Sequence, residues 1–122
     1  AGYSPMTFDD IRAIALKWPE VSDGTSYGTP ALKVRGKLLT RLKEDGESLI
    51  LFDIEQDERT MLIETQPKLF YFTDHYRDWP MVLLRLPKAK PKAVEGFLLR
   101  RWRSLASKKA LKAFDETPVR RN

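Results

Sequence analysis

The sequence predicts an α+β fold: a two-layer α/β sandwich in which a five-stranded antiparallel sheet carries its helices on one face, in the order α-β3-α-β2-α. Three observations lead there. Apolar residues recur at helical spacing near both ends of the chain, at Ile11, Ile14, Ala15 and Trp18 and again at Val94, Phe97, Leu98, Trp102 and Leu105. Between these stretches lie short runs in which apolar and polar residues alternate, as they do along a half-buried strand. Turn signals at Gly36 and at Asp45-Gly46 join the first runs so closely that neighbours must pair antiparallel. A chain of 122 residues has room for one hydrophobic core, so a single domain over residues 1–122 is expected, its core at about residues 7–114.

The first helix begins after Thr7, a residue suited to an N-cap. Asp9 and Asp10 follow in the first turn, where the helix dipole favours carboxylates. Pro19 stops it. Val21 to Thr29, rich in Ser, Asp, Gly and Thr, reads as a loop. Ala31 to Arg35, Lys37 to Lys43 and Ser48 to Ile54 read as a three-stranded meander. Glu55 to Thr65 has a short helical pattern with Met61, Leu62 and Ile63 on its buried side, closed by Pro67. Leu69 to Thr73 and Met81 to Leu86 are the remaining strands, joined by the polar aromatic loop Asp74 to Pro80. One long C-terminal helix is expected from about Pro91 to about Phe114, with the proline in its first turn. The alternation assigns Leu32, Val34, Leu38, Leu42, Ile50, Phe52, Val82 and Leu84 to the helix side of the sheet. Lys33, Arg35, Arg41, Lys43 and Arg85 then share the open face, with Tyr71 beside them.

Composition narrows the functional classes. Apolar residues make up 42% and charged residues 32%, an ordinary globular balance. There is no cysteine, which excludes disulfides, thiolate zinc sites, iron–sulfur clusters and cysteine nucleophiles. No apolar run is long enough to span a bilayer. The first residues carry neither a charged n-region nor an apolar h-region, and a cytoplasmic location is the expectation. The net charge of +5 is unevenly spread. Residues 1–87 hold 11 Lys and Arg against 14 Asp and Glu, a net −3, whereas residues 88–122 hold 11 against 3, a net +8. A basic half on a mildly acidic body suits a polyanionic partner.

Three short motifs stand out: Tyr27-Gly28-Thr29-Pro30 with Lys33-Val34-Arg35-Gly36-Lys37; His75-Tyr76, Trp79-Pro80 and Val82-Leu83-Leu84-Arg85-Leu86; and Trp102-Arg103-Ser104-Leu105-Ala106 followed by Lys108-Lys109. They resemble motifs of the MmcQ/YjbR-like family of small bacterial proteins. Together they cover the chain from Phe8 to about Lys112. The resemblance implies a two-layer fold related to the secretion-chaperone architecture. Members are mostly uncharacterised and often labelled DNA-binding, from a proposed winged arrangement of hairpins. No catalytic residues are implied. One departure matters: the hairpin tip at Arg35-Gly36-Lys37 is basic, but that at Glu44-Asp45-Gly46-Glu47 is acidic and would oppose phosphate.

The expected function is therefore non-enzymatic binding of DNA or another nucleic acid, weak and without sequence preference, by a monomer. Lys33, Arg35, Lys37, Arg41 and Lys43 on the hairpins are the expected contacts, with Arg100, Arg103 and Lys108 on the C-terminal helix. The alternative is a small-ligand or acidic-protein module. Tyr27, Thr29, His75, Tyr76 and Trp79 sit on two loops that could line a pocket at one end of the sheet, or could simply anchor those loops to the core. Catalytic and metal sites find no support. The spacing of Gly28 and Gly36-Lys37 does not fit a phosphate-binding loop, with Leu38 where a hydroxyl is needed. His75 is the one histidine, with only Asp74 and Asp78 near it as hard ligands, and there is no nucleophile elbow. No metal and no cofactor is expected.

Overall fold

The computed structural model describes residues 4–116. Its elements are α1 (Phe8–Ala15), β1 (Val21–Ser26), β2 (Thr29–Val34), β3 (Lys37–Leu42), β4 (Ser48–Phe52), α2 (Gln56–Thr65), β5 (Phe70–Tyr71), β6 (Met81–Arg85), α3 (Pro91–Leu105) and α4 (Lys108–Asp115). Two short 3-10 turns, Asp74–Tyr76 and Leu86–Lys88, flank β6. The sheet is antiparallel throughout, with strand order β1-β2-β3-β4-β6-β5.

This corrects the expected fold in two places: among the described residues the sheet has six strands rather than five, and there are four helices rather than three. The missed strand is β1, where Val-Ser-Asp-Gly-Thr-Ser has almost no apolar alternation. It lies at the sheet edge, mostly exposed, so nothing demands apolar side chains; six pairs with β2, from Val21–Val34 to Ser26–Thr29, hold it. Tyr27 and Gly28 close that hairpin, both in the left-handed region (φ +52° and +78°), as a two-residue turn between twisted strands requires. The expected C-terminal helix is two helices. The chain turns at Ala106-Ser107, where the Ser107 hydroxyl caps α4 by accepting from the Ala110 N–H at 3.1 Å. The Glu20 carboxylate accepts from both the N–H and the hydroxyl of Ser107, at 2.9 and 2.6 Å, and is held below the ordinary glutamate range by these bonds.

All four helices contribute to one core with the inner sheet face. Ile11, Leu62, Leu98, Trp102 and Ala110 pack with Leu32, Val34, Leu39, Leu49, Leu51, Val82 and Leu84. Trp102 is fully buried, tilted against Trp18 and Phe114, and its indole N–H donates to the Pro19 carbonyl at 2.9 Å. Arg101 lays its guanidinium over Phe52 and pairs with Asp53 at 3.1 Å.

The face assignment needs a second correction. Leu38, Ile50 and Phe52 do not face the helices. The β2–β3 register runs Leu32–Thr40 and then Lys33–Leu38, so Leu39 is an extra residue in a bulge. The bulge turns Leu39 inward and leaves Leu38 on the outer face opposite Lys33. In β4 all of Ser48 to Leu51 is buried, so alternation could not show which side the core takes. The pairing Ile50–Leu83 and Phe52–Met81 puts these residues in a second apolar cluster on the outer face, packed under Tyr71 and Tyr76.

Candidate functional site

The outer face carries a cavity of about 560 Å³ over β3, β4 and β6. Leu38, Ile50, Phe52 and Met81 form its apolar floor. Tyr27 from the β1–β2 turn and Thr73, His75, Tyr76 and Trp79 from the β5–β6 loop form its walls, and Arg41, Lys43 and Glu44 supply its charges. Tyr27 and Trp79 are 83% and 60% exposed, large aromatic surfaces left in water at the mouth of an apolar hollow.

Two structural devices place these groups. The first holds the β5–β6 loop. Thr73, Asp74 and Tyr76 carbonyls accept from the N–H groups of Tyr76, Arg77 and Trp79 at 2.9 to 3.1 Å, winding the loop into a tight turn. Arg59 of α2, only 3% exposed, then donates to the carbonyls of Tyr76, Trp79 and Met81 at 3.1 Å each and of Arg77 at 2.6 Å. Gln56 receives its remaining bond at 2.7 Å, and the guanidinium lies 4.1 Å from the Phe72 ring centre. The Tyr76 and Trp79 carbonyls also accept from backbone N–H groups and that of Arg77 from Gln56, so this buried cation adds charge-assisted bonds to a turn already wound, a strong clamp. The His75 and Tyr76 rings meet edge to face at 4.7 Å.

The second device is Arg41, 6% exposed on the outer face of β3. It donates to the Thr29 hydroxyl at 3.1 Å, to the Leu42 carbonyl and the Glu44 carboxylate at 3.3 Å, and to the Tyr76 hydroxyl at 3.4 Å. The Tyr27 ring lies 5.2 Å from its guanidinium carbon. One buried cation thus ties the β1–β2 turn, the β3–β4 turn and the β5–β6 loop together. The Glu44 carboxyl is held below its ordinary value mainly by its own backbone N–H, with Arg41 adding to the effect.

Of the residues read from sequence as a pocket, Tyr27, His75, Tyr76 and Trp79 come together as its walls, while Thr29 stands behind them as a partner of Arg41. The cavity lies on the sheet face, and its floor residues and Glu44 were not singled out for it. Alternation assigns Leu38, Ile50 and Phe52 to the helix side, and the bulge and the β4–β6 register place them on the other face. The sequence signal for this is the apolar run Leu49 to Phe52, continuous rather than alternating, which suits a strand covered on both faces.

The expected nucleic-acid contacts are dispersed. Arg41 is buried in the cavity wall and Lys43 lines it. Arg35 turns away from the outer face at φ +53° and donates to the Leu105 carbonyl at the end of α3, at 3.3 Å. Arg100 pairs with Glu58 at 2.9 Å, and Arg103 with Asp115 at 2.6 Å, which raises the Arg103 pKa. Lys33 is half-buried on the outer face of β2, whereas Lys37 and Lys108 are exposed. Among the described residues no group of three His, Asp or Glu side chains is placed to hold a metal, and no helix is long and apolar enough to cross a membrane. Asp74 pairs with Arg77.

No family model matches the chain, and no curated protein matches it. Among solved structures, it is similar to the crystal structure of Deinococcus radiodurans protein DR2400, described there as a DUF419 domain, with a TM-score of 0.69 and 16% sequence identity over 88% of this chain and 87% of that one. The α+β fold is shared with that protein.

Proposed function

We propose that this chain is a monomeric, MmcQ/YjbR-like cytoplasmic binding module whose site is the outer-face cavity, and that it takes a small molecule with an apolar body and a polar, charge-bearing end. The observation that carries this reading is the placement of Arg41, Lys43 and Glu44 beside the floor of Leu38, Ile50, Phe52 and Met81, in a hollow of about 560 Å³. Small-ligand sites have this size, an apolar lining and a few convergent polar groups. The polar groups here bind and orient; the reading includes no catalytic step. The motifs that resemble the MmcQ/YjbR family support the placement, as does the shared fold, since DUF419 is related to that family.

A second reading, weak nucleic-acid binding without sequence preference, is favoured by the net +8 of residues 88–122 and by the exposed Lys37 and Lys108. Titrations with aromatic acids and with single-stranded and duplex DNA, each at two salt concentrations, separate the two. Small-molecule binding that shifts the resonances of Ile50 and Met81 and is lost in Trp79→Ala supports the cavity. DNA binding with a steep salt dependence, unaffected by Trp79→Ala, would instead favour phosphate contacts. Neither kind of binding at low salt would refute both.

A further inference from the structure

The ion pair between Arg41 and Glu44 is asymmetric. The Arg41 side chain is 7% exposed and fixed by the Thr29 and Tyr76 hydroxyls and the Leu42 carbonyl, all neutral acceptors. Glu44 is the carboxylate that meets this charge, yet its own side chain is 60% exposed and reaches Arg41 from a turn, at 3.3 Å. Both residues line the cavity, and Lys43 lies between them in sequence and also lines it. A buried cation needs a counter-charge. A solvated carboxylate on a turn is a weakly held one, because exposed ion pairs contribute little.

Resting on the cavity reading above, we infer that Glu44 is a displaceable stand-in for the ligand's own anion. The ligand is a planar aromatic ring bearing a carboxylate or phosphate. Its anion replaces the Glu44 carboxylate on Arg41 and gains Lys43, while Glu44 swings into solvent. The ring lies on Ile50 and Met81 against the exposed faces of Tyr27 and Trp79, which lose water-exposed aromatic surface as it enters. Charge supports this choice over a cationic or neutral ligand: Arg41 and Lys43 outnumber Glu44 at the polar end, and the group that Arg41 meets there is already a carboxylate. Glu44 thereby also filters ligands, since a neutral ring cannot replace it and must bind beside a retained ion pair.

Four probes test this by calorimetry and amide chemical shifts: 2-naphthoate and AMP as anions, 2-naphthamide and adenosine as their neutral counterparts. The parent should bind an anion about tenfold more tightly than its counterpart, the scale of one charge-assisted bond. Glu44→Gln, a change on an exposed turn, should tighten the anion by roughly three- to tenfold and leave the neutral probe within about twofold. Arg41→Gln, which removes the charge, should cut the preference for the anion to about twofold, the part left to Lys43; its melting curve shows whether the fold is intact. Naphthoate binding alone would assign the anion to a carboxylate, AMP alone to a phosphate, and both support the inference. If neutral and anionic probes bind alike, or Glu44→Gln weakens the anion, the displacement idea is wrong while the cavity reading stands. If no probe shifts Tyr27, Ile50 or Met81, both fall together.

Discussion

The guanidinium of Arg59 donates to the carbonyl of Tyr76 at 3.1 Å, linking a helix that contributes to the core with a loop that walls the cavity on the other sheet face. Arg59 also reaches the carbonyls of Arg77 and Trp79 in that loop and of Met81 at the start of β6. The shape of the site therefore depends on a residue that does not line it.

Replacing that residue should separate shape from chemistry. Arg59→Met removes the buried cation and its charge-assisted bonds to four carbonyls, and should cost about 3 kcal/mol in denaturant unfolding. In Arg59→Lys the charge stays but the planar fan of donors is lost. Hydrogen exchange should then speed up from Tyr76 to Met81 while the amides of α3 stay protected. Unchanged protection in that loop would show that the turn holds itself.

Trp102 marks the centre of the helix layer. Trp102→Ala should destabilise the fold by roughly 3–5 kcal/mol, as truncation of a large buried aromatic does, and Trp18 and Phe114 lose their shared neighbour. A melting temperature within a degree of the parent would contradict the packing.

The acidic β3–β4 turn carries a pH dependence. Partial burial alone would raise the Asp45 carboxyl, but the N–H groups of Glu47 and Ser48, at 2.9 Å each, and the Ser48 hydroxyl, at 2.8 Å, together pull it below its ordinary 3.8. A depressed carboxyl favours the folded state above that ordinary value and stops doing so as the pH falls through its folded value. Asp45→Ala should thus be less stable than the parent by about 1–2 kcal/mol near pH 7. The gap should narrow below pH about 4 as the parent's Asp45 takes up its proton. A gap that is constant with pH would mean that the charge on Asp45 does not matter to it.

Lys33 and Lys37 test the phosphate-contact reading without disturbing the fold, because Arg35 between them holds the Leu105 carbonyl and is left alone. If the hairpin grips DNA, Lys33→Glu with Lys37→Glu should weaken binding equally for unrelated sequences. Each lost contact should also flatten the slope of log K against log salt by about 0.9 on duplex DNA. Retained affinity with an unchanged slope would remove this hairpin from any DNA interface.

Local chemistry made several parts of this protein legible before any coordinates. Gly36 and Asp45-Gly46 announce their turns because those backbones favour small or locally bonding residues, and Gly36 and Gly46 do adopt positive φ. The stripe of Val94, Leu98 and Trp102 announces a buried helix face, and Tyr27, His75, Tyr76 and Trp79 stand out as aromatics on polar loops that have to meet something. What the tertiary structure alone decided has one physical root: backbone pairing does not depend on which side chains alternate. β1 is a strand because β2 offers it hydrogen bonds, and its polar residues then face water at the edge. The bulge at Leu39 shifts the phase of β3, and the β4–β6 register seats Ile50 beside Leu83. These choices built an apolar floor on the face that alternation had assigned to charges, and they buried Arg41 beside it. A basic residue in a strand reads as surface, because its cost of burial is repaid only by partners from Thr29, Glu44 and Tyr76, which the sequence holds far apart or gives no reason to aim at it.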